Sequence, residues 1–380
     1  MYNRVLKTNL LDLSKQWSII SITGPRQSGK TTLCKMAFPD YRYVNLEDYS
    51  VRNLIQSDIK SFLLEHREGL VIDEAQYLPE LFPYLQVVVD ELPSARYVLS
   101  GSSDFLMMKN ISQSLAGRVA VRRLLPLSLA ELGAEAASDT DELIWKGFYP
   151  AVWGSGKSPI DVYDSYVSTY LNKDVRQILN IKDLGLFQRF VVLCASRIGT
   201  EFNALAISDA VGVSYKTIQE WMSILETSYT AFRLQPYFRN IGKRMVKTPK
   251  IYFYDTGLAA FLCGIHSSDQ LAHHPLRGQL FENMIVGEML KNRYNQGLAN
   301  NLFFYRDRGQ HEVDVVAEEG AYVYAYEIKS AKRYNPEFRK QLDYLQKTLG
   351  DALTKSCVIY DGTDESLSDT SGLLNFRNFF

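Results

Sequence analysis

Residues 17–33 read WSIISITGPRQSGKTTL. Ile19–Thr23 is rich in β-branched residues, as a buried strand requires, and Gly24 breaks the run. The loop that follows has the spacing Gly24-x-x-x-x-Gly29-Lys30-Thr31, and helix-forming residues come next. Glycines let successive backbone N–H groups turn inward around phosphate oxygens, and a helix N-terminus adds partial positive charge at the same point. Lys30 is then placed to reach the β- and γ-phosphates, and the Thr31 hydroxyl to ligate Mg²⁺. Strand, loop and helix occur in that order, which separates the stretch from a chance glycine loop. Gly24, Pro25, Arg26, Gln27, Ser28, Gly29, Lys30, Thr31 and Thr32 are the expected nucleotide-binding residues, with ATP and Mg²⁺ as the ligands.

Working outward, residues 69–78 (GLVIDEAQYL) read as a second buried strand ending in Asp73 and Glu74. An acid at the C-terminal end of a parallel strand lies beside the phosphate site. Asp73 is expected to hold Mg²⁺ and Glu74 to polarise the attacking water. The plainer alternative, that both acids only cap the next segment, does not account for their company with the phosphate loop. Glu beside Asp favours water as nucleophile over the acceptor hydroxyl of a kinase. YRYVNLED (41–48) and ARYVLSGSS (95–103) supply two more buried strands, and Ser100, Ser102 and Ser103 end the latter where a γ-phosphate sensor belongs.

The chain is 380 residues long, 46% hydrophobic and 22% charged, which fits two or three globular domains. A net charge of −1 makes any nucleic-acid surface a local patch. Four cysteines without CxxC pairing argue against a zinc site or disulfide framework and suit a reducing cytoplasm. No apolar run reaches the roughly 20 residues needed to span a bilayer, so no membrane association is expected.

In the middle, Ala204–Phe238 has the rhythm of a helix-turn-helix: Gly212 permits the turn, Ser214 caps a second helix, and Tyr215, Lys216, Gln219 and Glu220 form its outer face. Arg233–Lys250 then carries Arg233, Arg239, Lys243, Arg244, Lys247 and Lys250 with no acid between them, and Tyr237 and Phe238 interleaved. That pattern suits a DNA-tracking wing; a regulatory lid or a dimer contact is the alternative.

Near the C-terminus, EVDVVAEEGAYVYAYEIKS (312–330) reads as a β-hairpin about a Glu319-Gly320 turn. In that register Asp314 faces Ala325, with Glu327 diagonally adjacent at roughly 7–8 Å and Lys329 on the same side. Glu282 lies on the apolar stripe of an upstream helix with Ile285, Val286 and Met289, a costly place for a charge without a partner. Glu282, Asp314 and Glu327 are the candidate ligands of a second Mg²⁺ or Mn²⁺, with Lys329 as a catalytic candidate.

GPRQSGKTTL, VIDEAQ, LSGSS, SLAGRVAVRRLLPLSLAEL (114–132) and GFYP (147–150) resemble the AAA+ superfamily, and in particular predicted bacterial and archaeal ATPases of that class. The resemblance implies that Arg118 senses the γ-phosphate, in cis or from a neighbouring subunit, as against a surface salt bridge. It also implies that Gly147–Pro150, with Pro150 as the defining residue, line the adenine pocket, and that homo-oligomers are an option. The helical Glu282 followed by VDV and EIK resembles the PD-(D/E)xK nuclease core, which implies metal-binding acids and an orienting lysine. The expected fold is α/β. Residues 1–135 form an AAA+ P-loop parallel sheet with helices and 136–180 a helical lid. A winged-helix domain spans 181–268, and an α/β restriction-endonuclease-like domain 269–380. Two functions remain: an ATP-driven DNA-processing protein, or a nucleotide-controlled regulatory switch with an inert nuclease-like domain.

Overall fold

The computed structural model describes residues 2–101, 107, 110–111, 113–154, 156–171, 183–237 and 247–380. Ser102, Ser103, Phe238, Arg239, Lys243 and Arg244, all singled out above, lie outside the described residues. By its internal contacts the chain separates into two compact units: Met1–Leu127 with Thr227–Tyr229 and Arg293–Leu298, and the remainder.

In the first unit, β1 (Ile19–Thr23), β2 (Arg42–Asn45), β3 (Leu70–Asp73), β4 (Tyr97–Gly101) and β5 (Val119–Arg123) form a parallel sheet in the order β2-β3-β4-β1-β5. Every residue of β1, β3 and β4 is buried, which is why those segments read as continuous apolar runs and not as alternating ones. Alternate side chains feed two cores. Ile20, Ile22, Val71 and Val98 pack with Leu6 and Leu10 of α1 (Leu6–Ser14) and Leu33 of α2 (Lys30–Ala37). On the other face, Ile19, Ile72 and Leu99 share a core with three helices: α3 (Tyr49–Ser57), α4 (Ile59–Glu65) and α5 (Leu81–Glu91). β1 sits between β4 and β5 while its successor β2 lies at the sheet edge. The connection leaving β1 runs to one side of the sheet and that leaving β4 to the other, so the crevice where such a sheet binds ligands opens at the C-terminal ends of β1 and β4.

Two close approaches fix the loop after β1. Gly24 has φ 149° and packs so tightly on Leu124 that a Cβ would land inside the van der Waals shell of the Leu124 carbonyl. The Arg4 guanidinium, 5% exposed, donates to the carbonyls of Ser28 at 2.5 Å and Leu125 at 2.7 Å, clamping the loop to the segment after β5.

The second unit is built on a mixed sheet in the order β12-β13-β11-β10-β9-β8-β6-β7. Its strands are β6 (Ala231–Pro236), β7 (Lys250–Phe253), β8 (Leu302–Arg306), β9 (Glu312–Glu319), β10 (Tyr322–Lys329), β11 (Lys355–Tyr360), β12 (Ser366–Leu367) and β13 (Ser371–Asn375). β6 joins β8 through Gln235 and Pro236 against Phe303 and Phe304, so strands of the middle stretch and of the C-terminal region share one sheet. Asn283, on the long helix Arg277–Asn295, exchanges two hydrogen bonds with the Phe253 backbone (2.7 and 2.9 Å) and ties that helix to β7.

The helix pair Ala204–Val211 and Tyr215–Thr227 has Gly212 in the left-handed region at φ 84°, and Ser214 Oγ accepts from the Thr217 N–H at 3.1 Å. Ile218, Met222 and Leu225 are buried, while Tyr215 is exposed.

The hairpin corrects the sequence reading. Its two-residue turn is Gly320-Ala321, with Glu319 opposite Tyr322 and Val316 opposite Ala325. Gly320 takes the positive φ, 62°, that opens such a turn. The shift is two residues, so every side chain keeps its expected face. What changes is the neighbour: continuing the register by one pair beyond Val315–Tyr326 puts Asp314 directly opposite Glu327 and not opposite Ala325.

Gly24→Ala combines a forbidden φ with a backbone clash and is expected to lower stability by about 2–4 kcal/mol. It is also expected to abolish nucleotide binding; urea unfolding and titration with a fluorescent ATP analogue read the two effects separately.

Candidate functional site

The loop Gly24–Gly29 leads into α2 with Gly29 as its N-cap at φ 93° and Gln27 also at positive φ, 61°. Lys30, in the first turn of α2, is 6% exposed, and its ammonium donates to the carbonyls of Gly24 (2.9 Å) and Pro25 (2.7 Å). Burial pulls its pKa down to about 8, only partly offset by the charges of Glu74 and Asp73. A buried cation bonded only to carbonyls, with its charge only partly balanced, is a group that gains by meeting an anion. Thr32 is exposed on the outer side of the same turn.

Asp73 gathers the surrounding elements. Its Oδ2 accepts from Thr31 Oγ1 at 2.5 Å and from the Tyr43 hydroxyl at 2.7 Å. Its Oδ1 accepts from Ser100 Oγ and from the Glu74 N–H. The structure thus brings Thr31, Asp73 and Ser100 together at the C-terminal ends of β1, β3 and β4. A threonine hydroxyl against a carboxylate that is 2% exposed is a hard oxygen pair of the kind Mg²⁺ takes. Glu74 follows in the left-handed region (φ 53°, ψ 44°), and Gln76 Nε2 donates to its Oε2. Tyr43 and Gln76 hold the two acids and were not singled out from sequence. Tyr43 was hidden as one aromatic in an apolar strand, and Gln76 stood beside the acids without a chemistry of its own.

Arg118 is not brought to this site within the chain. It precedes Val119, which pairs with Ile19 at the N-terminal end of the sheet, the end away from the loop. There it forms a two-pronged pair with Asp90 at 2.7 and 2.8 Å. The cis sensor expectation is corrected accordingly, because the parallel sheet separates strand starts from strand ends. Pro150 lies in the second unit, where it opens a short helix. The neighbouring Gly147–Phe148 turn is held by Asp255, which accepts from the Phe148 N–H at 2.6 Å and from the Tyr163 hydroxyl at 2.7 Å.

The acidic cluster of the second unit contains an uninvited cation. Lys250, 2% exposed at the start of β7, lies 2.5 Å from Glu312 and 3.4 Å from Glu282. Tyr252 also donates to Glu282, at 2.5 Å. Burial alone lowers the Lys250 pKa, but Tyr252, Glu282, Asp314 and Glu312 outweigh it and hold the ammonium form well above its usual range. Lys329 pairs with Glu327 at 2.6 Å and lies 3.9 Å from Asp314, whose Oδ2 also accepts from the Ile328 N–H. Burial raises the carboxyls of Glu282 to about 7 and of Glu327 to about 8. Glu327 Oε2 is buried without a hydrogen-bond partner among the described residues.

The expected quartet therefore sits in one neighbourhood, divided between two lysines. Among the described residues, no three His, Cys, Asp or Glu side chains are gathered as a metal site. Glu282, Asp314 and Glu327 were expected to share one divalent ion; here Lys250 lies against Glu282 and Lys329 against Glu327. Sequence reading placed Lys250 at the end of the DNA-tracking basic stretch, since a buried lysine is invisible until its partners are known.

The first site has the arrangement of a phosphate-binding loop closed by a carboxylate. Residues 16–133 match the model of an AAA domain, which supports ATP binding by the N-terminal region. Residues 137–269 and 277–377 match two domains of unknown function, DUF8612 and DUF4143. Two proteins described as uncharacterized, from Mycobacterium bovis and Mycobacterium tuberculosis, are each 29% identical over 359 residues, covering 93% of this chain and 78% of theirs. A Walker-type ATPase of Pyrococcus abyssi shares 16% identity at a TM-score of 0.48, over 69% of this chain and 96% of that one. Among the described residues no helix is long and apolar enough to cross a membrane.

Two outcomes follow. Burial brings the Lys30 pKa down to about 8, and meeting ATP favours its ammonium form. The affinity for ATP is therefore expected to fall by up to about tenfold per pH unit beyond that point, as titration from pH 7 to 9.5 would show. Lys250→Met leaves Glu282 and Glu312 without their ammonium and is expected to cost about 3–5 kcal/mol in urea unfolding, with part regained on adding Glu282→Gln.

Proposed function

We propose that this chain is a Mg²⁺-dependent ATPase whose nucleotide state controls DNA binding by a winged-helix region, with a nuclease-like region that acts as a regulatory module. The observation that carries the enzymatic part is the convergence of Thr31, Ser100 and the Glu74 N–H on Asp73 beside a buried Lys30 that, among the described residues, donates only to the carbonyls of Gly24 and Pro25. When bound, Mg²⁺ supplies charge neutralisation for the phosphate oxygens, with Thr31 and Asp73 as the residues that would hold it. The loop N–H groups and Lys30 orient the phosphates, and Glu74, kept in a strained conformation by its own turn, aims a carboxylate at the attacking water.

DNA is the partner favoured for the middle region. Tyr215, Gln219, Arg233 and Lys247 line one cleft, so the outer face of the second helix and two residues of the basic stretch share a surface. An aromatic ring, an amide and cations in one groove suit a nucleic-acid backbone and its bases. Arg233 is already paired with Glu226, which leaves Lys247 to contribute most of the cleft's attraction for phosphate.

The regulatory reading of the C-terminal region rests on Lys250. A cation built into the acidic cluster removes the negative charge that would recruit a metal, and no cleavage step is assigned to it. The second reading, metal-dependent DNA cleavage, is favoured by Glu327 Oε2, a buried oxygen without a protein partner.

One set of assays separates these. Glu74→Gln is expected to bind ATP as the wild type does while hydrolysis falls roughly a hundredfold or more; unchanged turnover would remove Glu74 from the mechanism. Plasmid and single-stranded DNA incubated with Mn²⁺ are expected to stay intact. Cleavage that disappears in both Asp314→Asn and Lys329→Ala would establish the nuclease reading instead.

A further inference from the structure

Tyr229 has φ 56° and is 2% exposed. Its hydroxyl and Thr23 Oγ1 lie 2.8 Å apart in a buried hydrogen bond, in which either oxygen can donate. Thr23 is the last residue of β1, and Gly24, the first glycine of the phosphate loop, follows it. The segment Thr227–Tyr229 belongs to the nucleotide-binding unit, while the residues before it, through Glu226, and those after it, from Thr230, belong to the other. The chain thus leaves the helix Tyr215–Thr227, enters the nucleotide-binding unit for three residues, and departs into β6.

Three features make this more than a turn. A left-handed turn residue is ordinarily glycine or asparagine, because any other L residue is strained there. A buried tyrosine kept in that conformation is over-determined by its surroundings, which is where strain is retained for a purpose. Next, the position it touches has no slack: Thr23 is fully buried, its carbonyl accepts from the Leu124 N–H at 2.8 Å, and Gly24 is wedged against Leu124. Finally, alternation along β1 puts Thr23 on the face of Ile19, away from Ile22, which packs with Leu33 of α2. The Tyr229 hydroxyl therefore holds the strand end from the side that the loop and α2 do not.

We propose that Tyr229 is a positioning residue for ATP hydrolysis. It fixes the direction in which the phosphate loop leaves β1, and it makes nucleotide occupancy felt in its own segment, Thr227–Tyr229. The proposal rests on ATP hydrolysis at the loop and does not depend on DNA. Tyr229 acts through Thr23.

The test uses the full chain and the variants Tyr229→Phe, Thr23→Val and the pair combined. Three quantities are read: affinity for a fluorescent ATP analogue, kcat and KM for ATP, and hydrogen exchange of residues 225–232 with and without ADP. In the wild type, ADP is expected to slow exchange in that segment. Tyr229→Phe is expected to keep its affinity while kcat falls about tenfold, the scale of one buried hydrogen bond lost. The ADP-dependent protection should vanish with it, although the fold still melts cooperatively. Thr23→Val should do the same, and the double variant should be no worse than either single one, since both remove one interaction. Turnover and protection unchanged in Tyr229→Phe, or additive losses in the double variant, would overturn the proposal. A wild type that binds no nucleotide would overturn the ATPase reading itself, and this proposal with it.

Discussion

The nucleotide-binding unit turns on the carboxylate of Asp73. Four donors reach it: the Thr31 hydroxyl from α2, the Tyr43 hydroxyl from β2, the Ser100 hydroxyl from β4, and the backbone N–H of Glu74. A carboxylate 2% exposed is tolerable only when its lone pairs are used, and this one uses them on every strand-end around the switch point. The consequence is geometric. Moving any of those elements unseats the acid, so the sheet, the loop-bearing helix and the strand that ends in serine hold a single arrangement. A metal that takes up Thr31 and Asp73 would exchange one of these hydrogen bonds for a stronger contact without having to build the pocket.

Two buried lysines show how the same side chain is made active or inert by its partners. Lys30 has only carbonyl oxygens within reach, and burial pulls its pKa to about 8. Its charge is only partly offset by Glu74 and Asp73, so it improves on meeting phosphate. Lys250 is no less buried but is surrounded by Glu282, Glu312 and Asp314, which drive its pKa upward. Its charge is spent, and removing it leaves acids stranded. The ledger of desolvation and pairing, more than the presence of a charged residue, decides which pocket recruits a ligand. On that ground the proposal places ATP chemistry in the first unit and gives the acidic cluster a regulatory part.

Much of the first unit could be read from sequence because its signals are local. The phosphate loop is one short segment, and β3 announces Asp73 and Glu74 by being apolar on both faces until it ends. The helix-turn-helix pair was equally local, with Gly212 and Ser214 marking turn and cap. The hairpin shows where local reading gives out. Gly320 was recognised as a turn residue, yet which of its neighbours completes the turn depends on the pairing of two whole strands. Parity saved the face assignment, since a slip of two leaves every side chain where it was. Lys250 and Tyr229 could not be read at all. The first needs carboxylates from a helix and another strand, distant in sequence, and the second needs a residue 206 positions away.

Backbone strain points to the same place as the electrostatics. Among the described residues, four non-glycine residues have positive φ: Gln27, Glu74, Tyr229 and Gln310. Gln310 lies in the Asp307–His311 turn before β9, where its N–H and that of His311 are bonded to Asp307, an ordinary use of such a conformation. The other three surround the end of β1. Gln27 lies in the phosphate loop, Glu74 follows the acid that closes on Thr31, and Tyr229 is bonded to the residue before Gly24. Each conformation costs about 1–3 kcal/mol; at Tyr229 that cost is borne by a buried side chain whose hydroxyl bond glycine could not supply. Random drift would scatter such residues over the surface turns, where relief by glycine is easy. Their convergence on one strand end indicates that the loop is held in a geometry it would not adopt alone. That is the condition under which a small change, a phosphate arriving or leaving, is transmitted through the bonded neighbours instead of being absorbed by the loop.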